Sequence, residues 1–144
     1  MAGYSIIRDI NDTPAKQIPI STLAVEVGDL LELVAGATTW TATATASNYF
    51  TRKAIAMEAA VSGDSSVLAI ELDGTETIRA ESNATASADH NGDLMDATDE
   101  NTVNNDGTTV SDQSCLFVQD SIGPGTTEII GRILVGKGVD PDVT

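Results

Sequence analysis

The stretch LAVEVGDLLELV, residues 23–34, decides the fold class. In its first half, apolar residues alternate with small or charged ones, which is the pattern of a strand buried on one face. Gly28 and Asp29 then interrupt the pattern, and a second apolar segment begins at Leu30. We therefore expect two short strands joined at a bend or a bulge.

Comparable patterns lie on both sides of this stretch. They predict strands at residues 38–46, 53–61, 115–118 and 127–135, and a hairpin at residues 67–81 that turns at Asp73 and Gly74. A helix stays open for residues 53–61, because alanine, methionine and glutamate are good helix formers. Thr, Val and Ile supply 41 of the 144 residues, which favours strands. The predicted fold is all-β, a small β-barrel or β-sandwich of about six to nine strands.

A chain of 144 residues is long enough for one domain. We expect an extended N-terminal arm at residues 1–20, a single β-domain at residues 21–135 and a C-terminal tail at residues 136–144. Within the domain, residues 82–112 carry seven acidic residues and no basic one. This composition predicts a long acidic surface loop, with one short strand near residues 108–110.

Charge limits the classes of partner. Asp and Glu number 22 against 7 Lys and Arg, so the net charge is -15. Nucleic-acid affinity depends on basic residues, so we expect no nucleic-acid partner. The same balance disfavours an anionic membrane surface, and no apolar run approaches the length of a membrane helix. The N-terminus shows no charged-then-apolar leader, so we expect the chain to be used where it is made.

The sequence offers few candidate catalytic or metal-binding residues. His90 is the only histidine and Cys115 the only cysteine, so the common zinc sites cannot be assembled. We predict no catalytic residue, no cofactor and no metal ligand, and a protein that is not an enzyme. A calcium site stays open as an alternative at the carboxylates of residues 82–112, although their spacing is not that of an EF-hand loop. These are Asp89, Asp93, Asp96, Asp99, Glu100 and Asp106.

The N-terminal arm carries apolar side chains that need a cover. Pro14 and Pro19 are expected to interrupt any regular element there. Either the domain itself or a neighbouring subunit covers the arm, and the residues leave both open. The candidate contact residues to a partner or another subunit are Ile6, Ile7, Arg8, Ile10, Lys16, Ile18 and Ile20.

Three segments carry a resemblance to a known family. They are TPAKQIPISTLAVEVGDLLEL at residues 13–33, VLAIELDG at residues 67–74, and TTEIIGRILVGKG at residues 126–138. In order and style they resemble the small capsid decoration proteins, also called cement or head-stabilising proteins, of tailed bacteriophages. The acidic stretch at residues 82–112 lies outside this resemblance.

The resemblance implies a structural virion protein on the outer surface of an icosahedral capsid, made in the host cytoplasm. Such proteins bridge subunits of the major capsid protein, often as homotrimers, and stabilise the expanded shell. The arm would then lie along the capsid and add a strand to it, with Arg8 and Lys16 pairing with capsid carboxylates. Two alternatives stay open, a tail, fibre or receptor-binding β-module of a virion and a calcium- or carbohydrate-binding β-domain.

Overall fold

A computed structural model describes residues 3–21, 24–44, 49, 51–104 and 116–136 of the chain. In these residues the chain forms strands and one short 3₁₀ helix at Ala88–His90. The strands are β1 (Ser5–Arg8), β2 (Lys16–Pro19), β3 (Leu30–Leu33), β4 (Thr41–Ala42), β5 (Arg52–Ala56), β6 (Ser66–Glu71), β7 (Thr77–Glu81), β8 (Leu94–Asp99), β9 (Thr102–Asn104), β10 (Phe117–Ile122) and β11 (Glu128–Ile133). The prediction of an all-β fold is confirmed.

The strands form two antiparallel sheets. A six-stranded sheet has the order β1-β7-β11-β10-β8-β9, and a five-stranded sheet has the order β2-β6-β5-β3-β4. The five-stranded sheet curls into a half-barrel, because its two ends meet at a parallel bridge between Ile20 and Trp40. There the Trp40 amide donates a hydrogen bond of 2.8 Å to the Pro19 carbonyl oxygen.

Two hydrophobic cores follow from this arrangement. One lies between the sheets and includes Leu30 and Ile55, and the other lies inside the half-barrel and includes Leu31 and Trp40. Successive side chains of a strand point to opposite faces, so β3 and β5 each contribute to both cores. This is why the apolar residues Leu30 and Leu31 are adjacent in a strand, where burial on one face alone would give an alternating pattern.

The N-terminal segment supplies one edge strand to each sheet. β1 pairs with β7 in the six-stranded sheet, and β2 pairs with β6 in the five-stranded sheet. The sequence left open whether the domain itself or a neighbouring subunit covers the arm. Among the described residues, the domain itself covers both strands. The two prolines do not prevent this, because Pro14 lies between the strands and Pro19 ends an edge strand.

The hairpin predicted at residues 67–81 is wrong in its pairing. β6 and β7 belong to different sheets, and the turn at Asp73 and Gly74 carries the chain from one sheet to the other. Gly74 has the positive φ, +92°, that the sequence suggested. The Glu76 carboxylate, buried in the turn, accepts hydrogen bonds from the amides of Asp73 and Gly74 at 3.0–3.2 Å. These amides are therefore satisfied without a strand partner.

The acidic segment differs from the predicted surface loop. β8 and β9 form a hairpin inside it, and Met95, Ala97 and Val103 are buried in the core between the sheets. The period-two alternation of β8 is weak in the sequence, because the exposed Leu94 is apolar and the buried Ala97 is small. The short strand expected near residues 108–110, the position of Cys115 and the tail beyond Gly136 lie outside the described residues.

Candidate interaction surface

Strand β1 exposes part of the predicted contact set. Ile6 pairs with Ile78 in the sheet and packs against the core between the sheets. A register shift between Ile6 and Arg8 marks a bulge, so Ile7 is an extra residue in the strand. Ile7 is 48% exposed, and Arg8 is also exposed. The bulge therefore places an apolar side chain and a cation side by side at the sheet edge.

The turn after β1 is held by a carboxylate. Asp9 accepts hydrogen bonds from the amides of Asn11 and Thr13 at 3.0 and 2.9 Å. The bond from the Thr13 amide is the main reason that the pKa of Asp9 lies below its usual range. Ile10 is 64% exposed within this turn. A large apolar side chain is thus presented to solvent on a fixed backbone.

A second set of hydrogen bonds connects this turn to the turn at Asp73 and Gly74, which joins the two sheets. Asn11 Nδ2 donates to Asp73 Oδ2 at 2.5 Å and to Thr75 Oγ1 at 3.4 Å. Asp73 Oδ1 accepts from the Thr75 amide and hydroxyl, and these bonds lower the pKa of its carboxyl group. The turn that carries Ile10 is therefore attached to the body of the domain.

Lys16 belongs to an ion-pair cluster rather than to the exposed turn. Its Nζ lies 2.7 Å from Glu71 Oε1, and the Arg52 guanidinium donates two hydrogen bonds to the same carboxylate at 2.7 and 2.8 Å. The bonds from Arg52, with those from Lys16, hold the pKa of Glu71 below its ordinary value. Arg52 also lies over the Trp40 ring, with its Cζ 5.5 Å from the ring centroid.

Ile18 and Ile20 do not reach the surface. Both are buried in the core of the half-barrel, so neither is available to a partner in this structure. The alternation of β2 explains this for Ile18, because Gln17 and Pro19 point outward. Of the seven predicted contact residues, Ile7, Arg8 and Ile10 form an exposed group, which we call the N-terminal surface.

The N-terminal surface combines apolar area with a positive charge. Within the described part of the chain, Arg8 makes no ion pair, whereas Lys16, Arg52, Arg79 and Arg132 each lie near a carboxylate. β1 is also the last strand of its sheet, so one of its edges has no strand beside it among the described residues. Such a surface suits contact with a partner that offers apolar side chains and a carboxylate.

Sequence reasoning missed one buried lysine. Lys53 is fully buried and lies opposite Glu32 on the strand pair β3–β5. Its Nζ donates to the Thr51 carbonyl oxygen at 3.0 Å and to the Thr51 hydroxyl group, which in turn donates to Glu32 Oε2 at 3.1 Å. Burial lowers the pKa of Lys53 from 10.5 to about 8, and Glu32 offsets part of this effect. Its only signal in the sequence was its place two residues before Ile55, on the same face of a predicted strand.

The other chemical candidates are dispersed. His90 lies on the 3₁₀ helix with its Nδ1 3.1 Å from Asp93 Oδ2. Among the described residues, no three His, Cys, Asp or Glu side chains are grouped so that they could hold a metal ion. Of the carboxylates considered for calcium, Asp96 and Asp99 lie on β8 and Glu100 in the hairpin turn that follows, while Asp106 lies outside the described residues.

Comparisons with known proteins give no match. No family model, no curated protein and no solved structure is similar to this chain. In the part of the chain that the structure describes, no helix is long and apolar enough to cross a membrane.

Proposed function

We propose that this chain is a structural virion protein that binds the outside of an icosahedral phage capsid. It stabilises the expanded shell by bridging subunits of the major capsid protein. The observation that carries the proposal is the N-terminal surface, where Ile7 and Arg8 are exposed on β1 and Ile10 is exposed on the attached turn that follows. It lies in the segment that the resemblance to decoration proteins assigns to capsid contact.

The bridging role does not require any single contact to be strong. A decoration protein needs many modest contacts repeated by the symmetry of the shell, because multivalency turns weak single contacts into stable attachment. Two apolar side chains and one arginine per copy meet this need, and assembly as a trimer on the shell would triple them. The capsid surface that receives Arg8 would carry a carboxylate beside apolar residues.

The copy number of the chain in purified particles from its source is the first test. Quantitative mass spectrometry should find a number comparable to that of the major capsid protein. A handful of copies per particle would overturn the proposal in favour of a tail or fibre protein, and complete absence would overturn any virion role.

Binding to shells tests the N-terminal surface itself. Arg8→Glu and Ile10→Ser should each lower occupancy on expanded shells that lack this chain by about tenfold, measured by cosedimentation, since 1.4 kcal/mol of lost contact energy corresponds to a factor of ten. Arg132→Glu and Ile122→Ser change exposed residues of the same types on β11 and β10 and serve as controls. Equal losses in the controls would contradict a role for this surface.

A further inference from the structure

A groove lies at one end of the half-barrel. None of the residues that line it belongs to the N-terminal surface. Its walls are two loops, residues 24–29 and residues 57–64. The loops are joined by paired hydrogen bonds between Val25 and Ala60, of 2.8 and 2.9 Å. The turn of the β8–β9 hairpin completes the groove, because the Glu100 carbonyl oxygen accepts from the Leu30 amide at 2.8 Å.

The groove walls are largely apolar and open to solvent. The groove has a volume of about 590 Å³, and Ala24, Ala59 and Val61 are exposed in it, whereas Val25 and Ala60, which also line it, are buried. Val61 is 68% exposed at the rim, and its amide donates a hydrogen bond of 2.9 Å to Asp64 Oδ2. A volume of this size accommodates a large side chain together with the backbone that carries it.

The charged groups that line the groove are all acidic. They are Glu26, Asp29 and Glu100, and none of the described Lys or Arg residues lines the groove. The described basic residues lie elsewhere: Arg8, Arg79 and Arg132 are on β1, β7 and β11, Lys16 and Arg52 contact Glu71, and Lys53 is buried on β5. Within the part of the chain that the structure describes, no basic side chain therefore neutralises the negative charge of the groove.

Asp29 adds a buried carboxylate to this surface. It is only 5% exposed, and its Oδ2 accepts a hydrogen bond of 2.9 Å from the Glu26 amide. Burial, with the nearby charges of Glu100 and Glu26, raises the pKa of its carboxyl group. A cation in the groove would favour the ionised form of this carboxylate.

We propose that this groove, lined by Val25, Ala60 and Val61 with Glu26, Asp29 and Glu100, binds an arginine side chain on an extended segment of a partner protein. The methylene groups of arginine would cover the alanine and valine walls. The planar guanidinium would donate hydrogen bonds to more than one carboxylate, which a compact ammonium group does less well. The inference does not depend on the proposed capsid function.

The test is a titration of the isotope-labelled full chain with a blocked peptide, Gly-Ala-Val-Arg-Val-Ala-Gly, followed by amide chemical shifts. Shift changes should concentrate at residues 24–29, 59–62 and 100. The peptide with glutamine in place of arginine should bind at least about fivefold more weakly, and salt should weaken only the arginine peptide. Equal affinity for the two peptides, or shift changes centred outside the groove, would overturn the proposal.

Matched variants distinguish the effect of a carboxylate in the groove from the effect of the net charge of the chain. Glu100→Gln should weaken the arginine peptide about fivefold, whereas Asp89→Asn removes the same charge from the exposed 3₁₀ helix and should leave affinity unchanged. The amide spectrum of each variant also reports whether it is folded. If dilution of the free chain shifts the groove residues in the absence of peptide, the occupant is a second copy of this chain and the proposal is wrong.

Discussion

At the scale of single residues, the most unusual side chain is Lys53. A lysine buried beside the core between the sheets loses hydration that its two bonds to Thr51 replace only in part. Its lowered pKa means that the unfolded chain binds more protons than the native chain between about pH 8 and pH 10.5. Stability contributed through this group therefore rises with pH in that window.

Lys53→Met should remove this pH dependence. In the unchanged protein, the free energy of unfolding should rise from pH 7.5 to pH 9.5, towards a limit of about 3 kcal/mol set by the difference in pKa. The variant should be flat over the same range, as measured by urea unfolding at each pH. Lys16→Met, which changes an exposed lysine, is the control and should keep the rise. A rise of equal size in Lys53→Met would show that another group is responsible.

At the scale of elements, the pair β10–β11 depends on one glycine. A Cβ atom at Gly131 would lie 1.9 Å from the Val118 carbonyl oxygen and 2.9 Å from Phe117 Cζ. Gly131 pairs with Gln119 at the point where the register shifts, so the two backbones approach closely there. No side chain fits without moving β10.

Gly131→Ala should destabilise the domain by about 3 kcal/mol or more, because overpacking in a core displaces backbone as well as side chains. Gly36→Ala is a matched control. Gly36 has a positive φ of +83° but open space around it, so its substitution should cost only about 1 kcal/mol. Thermal unfolding of both variants measures the difference, and equal melting temperatures would contradict a close approach at Gly131.

The elements also show what the sequence could predict. β3 and β11 lie within predicted strands, because apolar or alternating runs specify them, and β5 overlaps the first part of the strand predicted at residues 53–61 but begins at Arg52 and ends at Ala56. Of the strand predicted at residues 38–46, the structure describes residues 38–44, and these include the two-residue strand β4; Val25 makes a single bridge rather than a strand. The sequence could not show that β6 and β7 belong to different sheets. Glu76 satisfies the amides of the turn between them through a contact that no periodicity reveals.

The interaction surface was predictable only in part. An isoleucine in the arm has the same sequence signal whether it points inward, as Ile18 does, or outward, as Ile10 does. Their difference comes from the pairing of β2 and from the turn held by Asp9, which are long-range and geometric facts. The groove was missed because its acidic and apolar residues come from three separate segments.

At the scale of the whole molecule, β3 and β5 link the two cores. Leu30 and Leu31 are adjacent in sequence but lie in different cores. Loss of packing in either core must therefore disturb the same two strands, and the domain is expected to unfold as one cooperative unit.

Trp40 gives a direct measure of this linkage, because it is the only tryptophan and lies in the half-barrel core. Leu30→Ala changes the other core, yet it should lower the unfolding midpoint reported by Trp40 fluorescence about as much as Leu31→Ala does. Each substitution should lower the free energy of unfolding by about 2–5 kcal/mol. Circular dichroism should give the same midpoints as fluorescence. Two separated transitions in Leu30→Ala would show that the cores unfold independently.

The placement of β1 and β2 has a consequence for synthesis on the ribosome. These strands precede their partners β6 and β7, which begin only at Ser66 and Thr77. The sheets can gain these edges only after the chain has been translated through β6, which ends at Glu71, and β7, which ends at Glu81, and the isoleucines of the early segment stay uncovered until then. Pairing of these two edge strands therefore lags behind their own synthesis, and slow translation near the N-terminus would give it no advantage.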